Sequence, residues 1–361
     1  MTTLEDLGYN DFFESSRKKM ELDGFAVARV MVEYRGAYKI KNPTGEYLAK
    51  ITGKQMFNAS SREDYPVVGD FVAMTDLDGE HATIHNILPR KTILKRQHSD
   101  RSRIGGKNEL QIIAANIDVA FIVESIDRDF SLNRFERYFA IAKDGGVKPV
   151  LILNKIDLIS KEELDLKLAE IENRFNEAEV IPASSVNEEG LKDLRKYVEK
   201  GKTYCFLGSS GVGKSSLINK LLGEGIIKTE EIGLSTGRGK HTTTAREMYF
   251  LESGAIVIDN PGVRQVGMAD VGVGIDSLFD EITVLAKECK FDDCTHIHEP
   301  GCAVLEALNS GNLDAEKYSN YINLKKEAEY YEMNELEKRE KDRQFGKFVK
   351  NAKKQLKEFE C

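Results

Sequence analysis

The sequence is arranged around one stretch, Gly208-Ser209-Ser210-Gly211-Val212-Gly213-Lys214-Ser215, which fits the pattern Gly-x4-Gly-Lys-Ser/Thr. It follows an apolar strand run, 203–207, and precedes a helical run, 216–222. Glycines let successive N–H groups converge on phosphate oxygens, Lys214 reaches the β and γ phosphates, and Ser215 offers a hydroxyl to Mg²⁺. The pattern predicts a nucleoside triphosphate site from Gly208 through Ser216, with a plain glycine-rich turn as the alternative.

A second motif indicates which base is bound. Asn154-Lys155-Ile156-Asp157 follows the buried strand run 150–153. The Asp157 carboxylate can accept hydrogen bonds from N1–H and the 2-amino group of guanine, a pair that adenine does not offer. Asn154 can bond the purine and the phosphate loop, and the Lys155 stem can cover the base. Because an unpaired buried carboxylate is costly, the motif predicts GTP or GDP rather than an adenine nucleotide.

Two further loops complete a guanine nucleotide site. Asp259-Asn260-Pro261-Gly262 ends an apolar strand and places Asp259 to hold a Mg²⁺-bound water and the Gly262 N–H to meet the γ-phosphate. The segment 181–185 lies between a strand and a helix, where Ser184 and Ser185 can bring N–H groups to the guanine O6.

The segment 237–244 is basic, glycine-rich and rich in threonine, so we expect it to close on Mg²⁺ only when the γ-phosphate is present. Spacing does not fix which threonine binds Mg²⁺; we favour Thr243, with Thr244 as the alternate. Val263 stands where Ras-like enzymes carry a water-orienting glutamine, which predicts slow intrinsic hydrolysis. His241 is the candidate catalytic group for the attacking water. The alternative is that His241 only holds the loop.

A cluster of metal-ligating residues comes later in the chain, with the spacing Cys289-x4-Cys294-x-His296-x5-Cys302. Three thiolates and one imidazole suit a closed tetrahedral Zn²⁺ site of structural type. His298 is close enough to replace His296 as the fourth ligand. Buried free thiols are the other interpretation.

The order of these motifs is unusual, because the base-reading loops at 154 and 184 precede the phosphate loop at 208. Ras-like GTPases have the opposite order, so the sequence indicates a circular permutation. Together with the metal cluster, an alternating N-terminal segment and a basic tail, this order resembles the ribosome-small-subunit-dependent GTPases of the RsgA (YjeQ) family. The resemblance selects His296 as the fourth zinc ligand. It implies hydrolysis of GTP to GDP and phosphate on the 30S ribosomal subunit, with 16S rRNA as a partner, in late small-subunit maturation.

The N-terminal part predicts a short helical lead-in over residues 1–22, packed through Leu4, Leu7, Phe12 and Phe13. Apolar residues then alternate with polar ones in five short segments, 25–34, 37–40, 46–51, 68–74 and 82–84. Five short strands with turn signals predict an OB-fold barrel. Periodicity alone leaves open whether the barrel binds RNA or is purely structural, and the resemblance favours ribosomal RNA.

Length and charge limit the remaining possibilities. A chain of 361 residues with a net charge of −8 can form several domains but is not basic throughout, so nucleic acid must be bound by local patches. The segment 95–107 is basic and poor in apolar residues, which indicates a loop. The tail 341–357 has seven basic residues against one acidic residue. Such a run is usually a solvated helix face, but its reversal of the overall charge, together with the resemblance, favours an RNA phosphate patch. No apolar run reaches 18 residues and no signal peptide pattern is present, so we expect a soluble, cytoplasmic protein without a membrane partner. We also expect a monomer without a DNA partner, although the sequence does not determine the oligomeric state.

The predicted fold class is multi-domain: an N-terminal OB-fold β-barrel, a circularly permuted Ras-like α/β P-loop GTPase and a C-terminal zinc-binding helical domain. We expect domain boundaries of 1–97 for the lead-in and barrel, 98–114 for a basic linker, 115–270 for the GTPase and 271–361 for the C-terminal domain. Two functional alternatives remain. One is another translation or RNA-modification GTPase that 30S subunits do not stimulate, and the other is an RNA-binding scaffold that uses GTP without turnover.

Overall fold

A computed structural model describes residues 2–99, 108–127, 130–175, 178–187, 189–223, 246–259 and 271–333, with the single residues 337, 340 and 343. The strands in these ranges are β1 (Ala26–Glu33), β2 (Tyr38–Asn42), β3 (Gly45–Ile51), β4 (Phe71–Asp76), β5 (His81–Ile87), β6 (Ile93–Ser99), β7 (Asn108–Ala115), β8 (Val119–Ser125), β9 (Lys148–Asn154), β10 (Val180–Ala183), β11 (Thr203–Leu207), β12 (Glu247–Phe250) and β13 (Ile256–Asp259). The helices are α1 (Asp11–Lys19), α2 (Gly53–Asn58), α3 (Leu132–Asp144), α4 (Lys161–Arg174), α5 (Leu191–Tyr197), α6 (Lys214–Leu222), α7 (Gly272–Leu278), α8 (Asp280–Ala286), α9 (Ala303–Asn309) and α10 (Ala315–Glu332).

Strands β1 to β5 form a closed barrel. They pair in the order β1-β2-β3-β5-β4, and β4 returns to β1. The pairing of β3 with β5 is parallel and the others are antiparallel. This is the strand order of an OB-fold, so the predicted barrel is confirmed. Inward-facing residues such as Val30, Ile40 and Ile84 are fully buried and fill its interior.

The lead-in packs against the outside of the barrel. Leu7 and Phe13 are buried, and the Phe13 ring lies 4.4 Å from the Phe71 ring, centroid to centroid. Phe12 is 41% exposed, so its predicted packing role is wrong. Adjacent helical residues point about 100° apart, since a helix has about 3.6 residues per turn, and only Phe13 faces the barrel.

The expected basic linker is largely a β-hairpin. Strands β6 and β7 pair antiparallel from Ile93↔Ala115 to Ser99↔Asn108. The loop prediction for 95–107 is therefore wrong for residues 95–99, which belong to β6. Such a ladder is made by backbone groups, so a segment with few apolar side chains can still join it when its neighbour supplies the partner strand.

The central sheet has the order β10-β9-β8-β11-β13-β12, and all of its strands are parallel except β12. Its central strands β8 and β11 are buried on both faces, as expected for a covered parallel sheet. Helices α5 and α6 cover one face, and α3, α4, α7 and α10 cover the other. The parallel strands carry their loops at one edge, where ligands of such sheets bind.

Arg29 links the lead-in, the barrel and the central sheet. This side chain is 1% exposed and donates to three backbone carbonyls: Leu7 O at 2.5 Å, Gly69 O at 3.2 Å and Asn116 O at 3.0 Å. Burial lowers the pKa of Arg29 to about 10, against the attraction of Asp118 and Asp70, so the guanidinium stays charged at neutral pH. Its three acceptors explain how a buried cation is tolerated there.

The C-terminal helices attach to α3 through buried polar groups. Glu136 is fully buried and accepts from Arg174 Nε at 2.6 Å and from Asn320 Nδ2 of α10. Arg174 also donates to Asp314 Oδ1 at 2.8 Å. The predicted helix from about Ala315 is present as α10, whereas the basic tail 341–357 lies outside the described residues except for Arg343.

Candidate functional site

The phosphate loop joins β11 to α6, as its flanking sequence predicts. Gly208 and Gly213 have φ of +141° and +96°, a region that side chains disfavour. A Cβ on Gly208 would lie 2.2 Å from Val123 O, and one on Gly213 would lie 2.2 Å from Asn154 Nδ2. Both positions therefore require glycine. Lys214 Nζ donates to Gly208 O at 2.8 Å and Ser209 O at 2.5 Å, so it lies over the loop where phosphates would bind.

Asn154 connects the base-reading loop to the phosphate loop. It is fully buried, and its Nδ2 donates to Val212 O at 2.7 Å. Its Oδ1 has no hydrogen-bond partner among the described residues. A buried amide oxygen without a partner is costly, and a bound purine with a donor group would satisfy it. Two loops that are 58 residues apart in the chain are thus in direct contact.

Asp157 is held by the loop after β10. Ser184 Oγ donates to Asp157 Oδ1 at 2.5 Å, and parallel pairing of Ala183 with Asn154 brings the two loops together. The Ser184 hydroxyl also accepts from the backbone N–H groups of Val186 and Asn187 at 3.1 and 3.3 Å. The serine therefore orients the carboxylate, a role that the sequence did not suggest. Ser185 is half-buried beside it.

The candidate Mg²⁺ side of the cleft is partly described. Asp259 ends β13, and burial raises the pKa of its carboxyl while the charge of Lys214 opposes this shift. Ser215 and Ser216 lie half-buried in the first turn of α6. His241, Thr243, Thr244, Gly262 and Val263 lie outside the described residues.

Sequence reasoning missed one side chain beside the base-reading loop. Asp127 Oδ2 lies 2.7 Å from Lys155 Nζ. Asp127 follows β8, which lies beside β9 in parallel. A signal was available, because polar residues after adjacent parallel strands meet at one edge of the sheet.

The metal cluster is assembled as predicted by the family pattern. Ligand atoms of Cys289, Cys294, His296 and Cys302 all lie within 4.8 Å of one another. Cys289 Sγ lies 3.8 Å from Cys302 Sγ, and His296 Nδ1 lies 3.6 and 3.5 Å from these two sulfurs. Tetrahedral zinc with Zn–S of about 2.3 Å and Zn–N of about 2.0 Å separates ligand atoms by about 3.5–3.8 Å. The separations among the ligand atoms of Cys289, Cys302 and His296 therefore fit a tetrahedral Zn²⁺ site.

His296 is shaped for this role by its backbone. Its φ is +61°, its side chain is buried, and its carbonyl accepts from the Tyr318 hydroxyl at 2.6 Å. His298, the alternative ligand, is exposed and does not join the cluster. A left-handed histidine turns the ring back towards the cysteines, and Tyr318 of α10 fixes that turn.

Comparison with known proteins agrees with this geometry. A family model described as RsgA GTPase matches residues 87–269. The small ribosomal subunit biogenesis GTPase RsgA 1 of Bacteroides thetaiotaomicron is 37% identical over 354 residues, covering 98% of this chain and 97% of the relative. RsgA 2 of Lactiplantibacillus plantarum is 39% identical over 340 residues, covering 93% of each chain.

Solved structures agree as well. The crystal structure of YjeQ from Thermotoga maritima superposes with a TM-score of 0.60 at 25% identity, over 82% of this chain and 96% of that one. YloQ, described as a circularly permuted GTPase, shares the fold with a TM-score of 0.58 at 20% identity, over 86% of this chain and 97% of that one. Among the described residues, no helix combines the length and apolar character needed to cross a membrane.

The alignment with the Bacteroides thetaiotaomicron relative spans 98% of this chain, so it includes the barrel, both nucleotide motifs and the Cys₃His cluster. The chain belongs to the RsgA GTPase family.

Proposed function

We propose that this protein hydrolyses GTP to GDP and phosphate while bound to the small ribosomal subunit, late in the maturation of that subunit. The bond from Asn154 Nδ2 to Val212 O carries the proposal, because it joins the loop predicted to bind guanine to the phosphate loop. The relatives' names, small ribosomal subunit biogenesis GTPase, supply the partner.

In this proposal Asp157 reads the base and the N–H groups of Gly208 to Ser216 bind the phosphates. Lys214 leaves its loop carbonyls to neutralise charge on the β and γ phosphates. Ser215, Thr243 (or Thr244) and Asp259, the last through a water, would hold Mg²⁺, which supplies further charge neutralisation when bound. His241 orients the attacking water, since Val263 cannot, and the Gly262 N–H contacts the γ-phosphate.

Phosphate release measured with and without purified 30S subunits tests this function. We expect slow turnover alone and a rise of at least about tenfold with 30S subunits, because the ribosome must complete a site that lacks a water-orienting glutamine. Lys214→Ala is the matched control and should lose both rates. Turnover that 30S subunits do not change would favour another class of GTPase. GTP binding without any turnover would favour an RNA-binding scaffold.

The finer partner assignments belong to the same proposal. The OB barrel and the basic tail 341–357 contact 16S rRNA, the tail through its seven basic residues. The protein acts as a monomer in the cytoplasm. The OB-fold topology supports the RNA contact, since barrels of this type commonly bind oligonucleotides.

We also propose that Cys289, Cys294, His296 and Cys302 bind one structural Zn²⁺. We expect one zinc per chain, and Cys302→Ser should lose it, because a hydroxyl is a poor replacement for a thiolate ligand. Metal analysis of the purified proteins measures this. Cys205→Ala, at a buried cysteine of β11, serves as the control and should retain zinc. Full zinc content in Cys302→Ser would contradict the ligand set.

A further inference from the structure

The lysine of the base-reading loop is held by an ion pair that lies outside the recognised motifs. Lys155 Nζ lies 2.7 Å from Asp127 Oδ2, with side-chain exposures of 25% and 31%. Lys155 has φ of +62°, a left-handed conformation that is uncommon for residues other than glycine. The backbone conformation thus directs the Lys155 side chain towards Asp127, and the Asp127 carboxylate forms an ion pair with its ammonium group.

Asp127 is itself positioned by the end of β8. Ser125 is 2% exposed, and its hydroxyl donates to Asp127 Oδ1 at 3.0 Å. Ile126 N donates to Asn154 O at 3.0 Å, and Ser125 lies opposite Asn154 in the parallel ladder. Backbone and side-chain bonds therefore attach the Asp127 carboxylate rigidly to the loop that reads the base.

We propose that Asp127 is a positioning residue of the guanine site: it holds Lys155 so that the aliphatic stem covers the purine, and it thereby sets how long a guanine nucleotide stays bound. This inference rests on the proposed function. A lysine stem has several rotatable bonds, and fixing it before binding removes an entropic cost that the nucleotide would otherwise bear. In this arrangement the lysine stem covers the face of the base, and the pair forms no hydrogen bond with the base edge. We therefore expect the pair to affect the dissociation rate of the nucleotide, while Asp157 determines base selectivity.

The test measures dissociation of a fluorescent GDP analogue from the full chain in the presence of Mg²⁺. Asp127→Asn keeps the shape of the side chain and removes its charge. We expect its dissociation rate to rise about fivefold, the scale of a part-exposed ion pair. The preference for guanine over xanthine nucleotides and the melting temperature should not change, and Asp127→Glu should restore most of the slow dissociation.

A control and a second variant separate this role from a general surface effect. Glu170→Gln breaks the Lys167–Glu170 pair, whose atoms lie 2.6 Å apart on the exposed side of α4, and should leave dissociation unchanged. Lys155→Met keeps an aliphatic stem but loses the ion pair. We expect Asp127→Asn to have no further effect in the Lys155→Met background, because the carboxylate acts through that lysine.

Two results would overturn the inference. The first is a GDP-analogue dissociation rate in Asp127→Asn equal to that of the wild type. The second is a double variant whose increase in dissociation rate equals the product of the increases in Asp127→Asn and Lys155→Met. Either result leaves the proposed function intact as long as the wild-type chain binds GDP and hydrolyses GTP. Failure of the wild-type chain to bind guanine nucleotides would instead defeat the proposed function itself.

Discussion

Asp157→Asn is expected to lower the affinity for GTP by at least about 100-fold and to shift the preference towards XTP, because a site built for two hydrogen bonds rejects the mismatched partner. The carboxylate can accept from N1–H and the 2-amino group of guanine while Oδ1 still accepts from Ser184, since a carboxylate has about four acceptor positions. The side-chain amide of the variant would place its NH₂ group opposite the 2-amino group of guanine, and two donors cannot form a hydrogen bond with each other. Xanthine offers a carbonyl at that position instead.

Competition by GTP, XTP and ATP against a fluorescent GDP analogue measures this change. The variant should keep its melting temperature, because the new amide oxygen can still accept from the Ser184 hydroxyl. Ser184→Ala is the companion variant: it keeps the carboxylate and removes the group that orients it. We expect Ser184→Ala to weaken GTP binding with no gain in XTP binding. An unchanged order of preference in Asp157→Asn would show that the base is read elsewhere.

Arg174→Met is expected to destabilise the junction between the central sheet and the C-terminal helices by about 3–5 kcal/mol, the usual cost of removing one partner of a buried ion pair. Glu136 is fully buried, and Arg174 supplies its bidentate contact. Methionine keeps an aliphatic stem but leaves the carboxylate with Asn320 as its remaining described donor. Urea unfolding at neutral pH measures the loss in free energy of unfolding.

The double variant Glu136→Gln with Arg174→Met tests the cause. Removing both charges should recover a large part of the loss, because no uncompensated carboxylate remains. Lys196→Met is the control, since it breaks an ion pair whose side chains are 78% and 72% exposed, and it should leave stability nearly unchanged. A double variant no more stable than Arg174→Met would mean that packing, not charge, explains the loss.

Acidification offers a second check on the same group. Burial raises the pKa of Glu136, although Arg174 and Asn320 oppose the shift. In Arg174→Met the charge that most strongly opposes the shift is gone and only Lys317 still opposes it by its charge, so the raised pKa leaves the folded chain binding a proton more tightly than the unfolded chain. Stability of the variant should therefore be highest below the unfolded pKa and fall as the pH rises through the folded pKa.

Local patterns predicted the phosphate loop, the base-reading loop and the three cysteines of the metal cluster. Gly208 and Gly213 are required by the backbone conformation of the loop, and residues adjacent in the chain would contact the same phosphates. The five barrel strands could be predicted from the alternation of apolar and polar residues. Successive side chains of a strand lie on opposite faces, and only one face is buried in the barrel. The choice between His296 and His298 needed the family pattern, because both are within reach on an extended segment.

Contacts between distant segments depend on the fold and could not be predicted in this way. Ser184 reaches Asp157, Asp127 reaches Lys155, and Arg29 reaches Leu7, Gly69 and Asn116 only because strands far apart in the chain lie side by side. The β6–β7 hairpin and the exposure of Phe12 have the same origin, since a neighbouring element supplies the pairing strand or the packing surface. Residue chemistry thus predicts which groups recognise guanine, phosphate and metal, whereas their orientation depends on tertiary contacts, because a side chain is oriented by whichever groups the folded chain places around it.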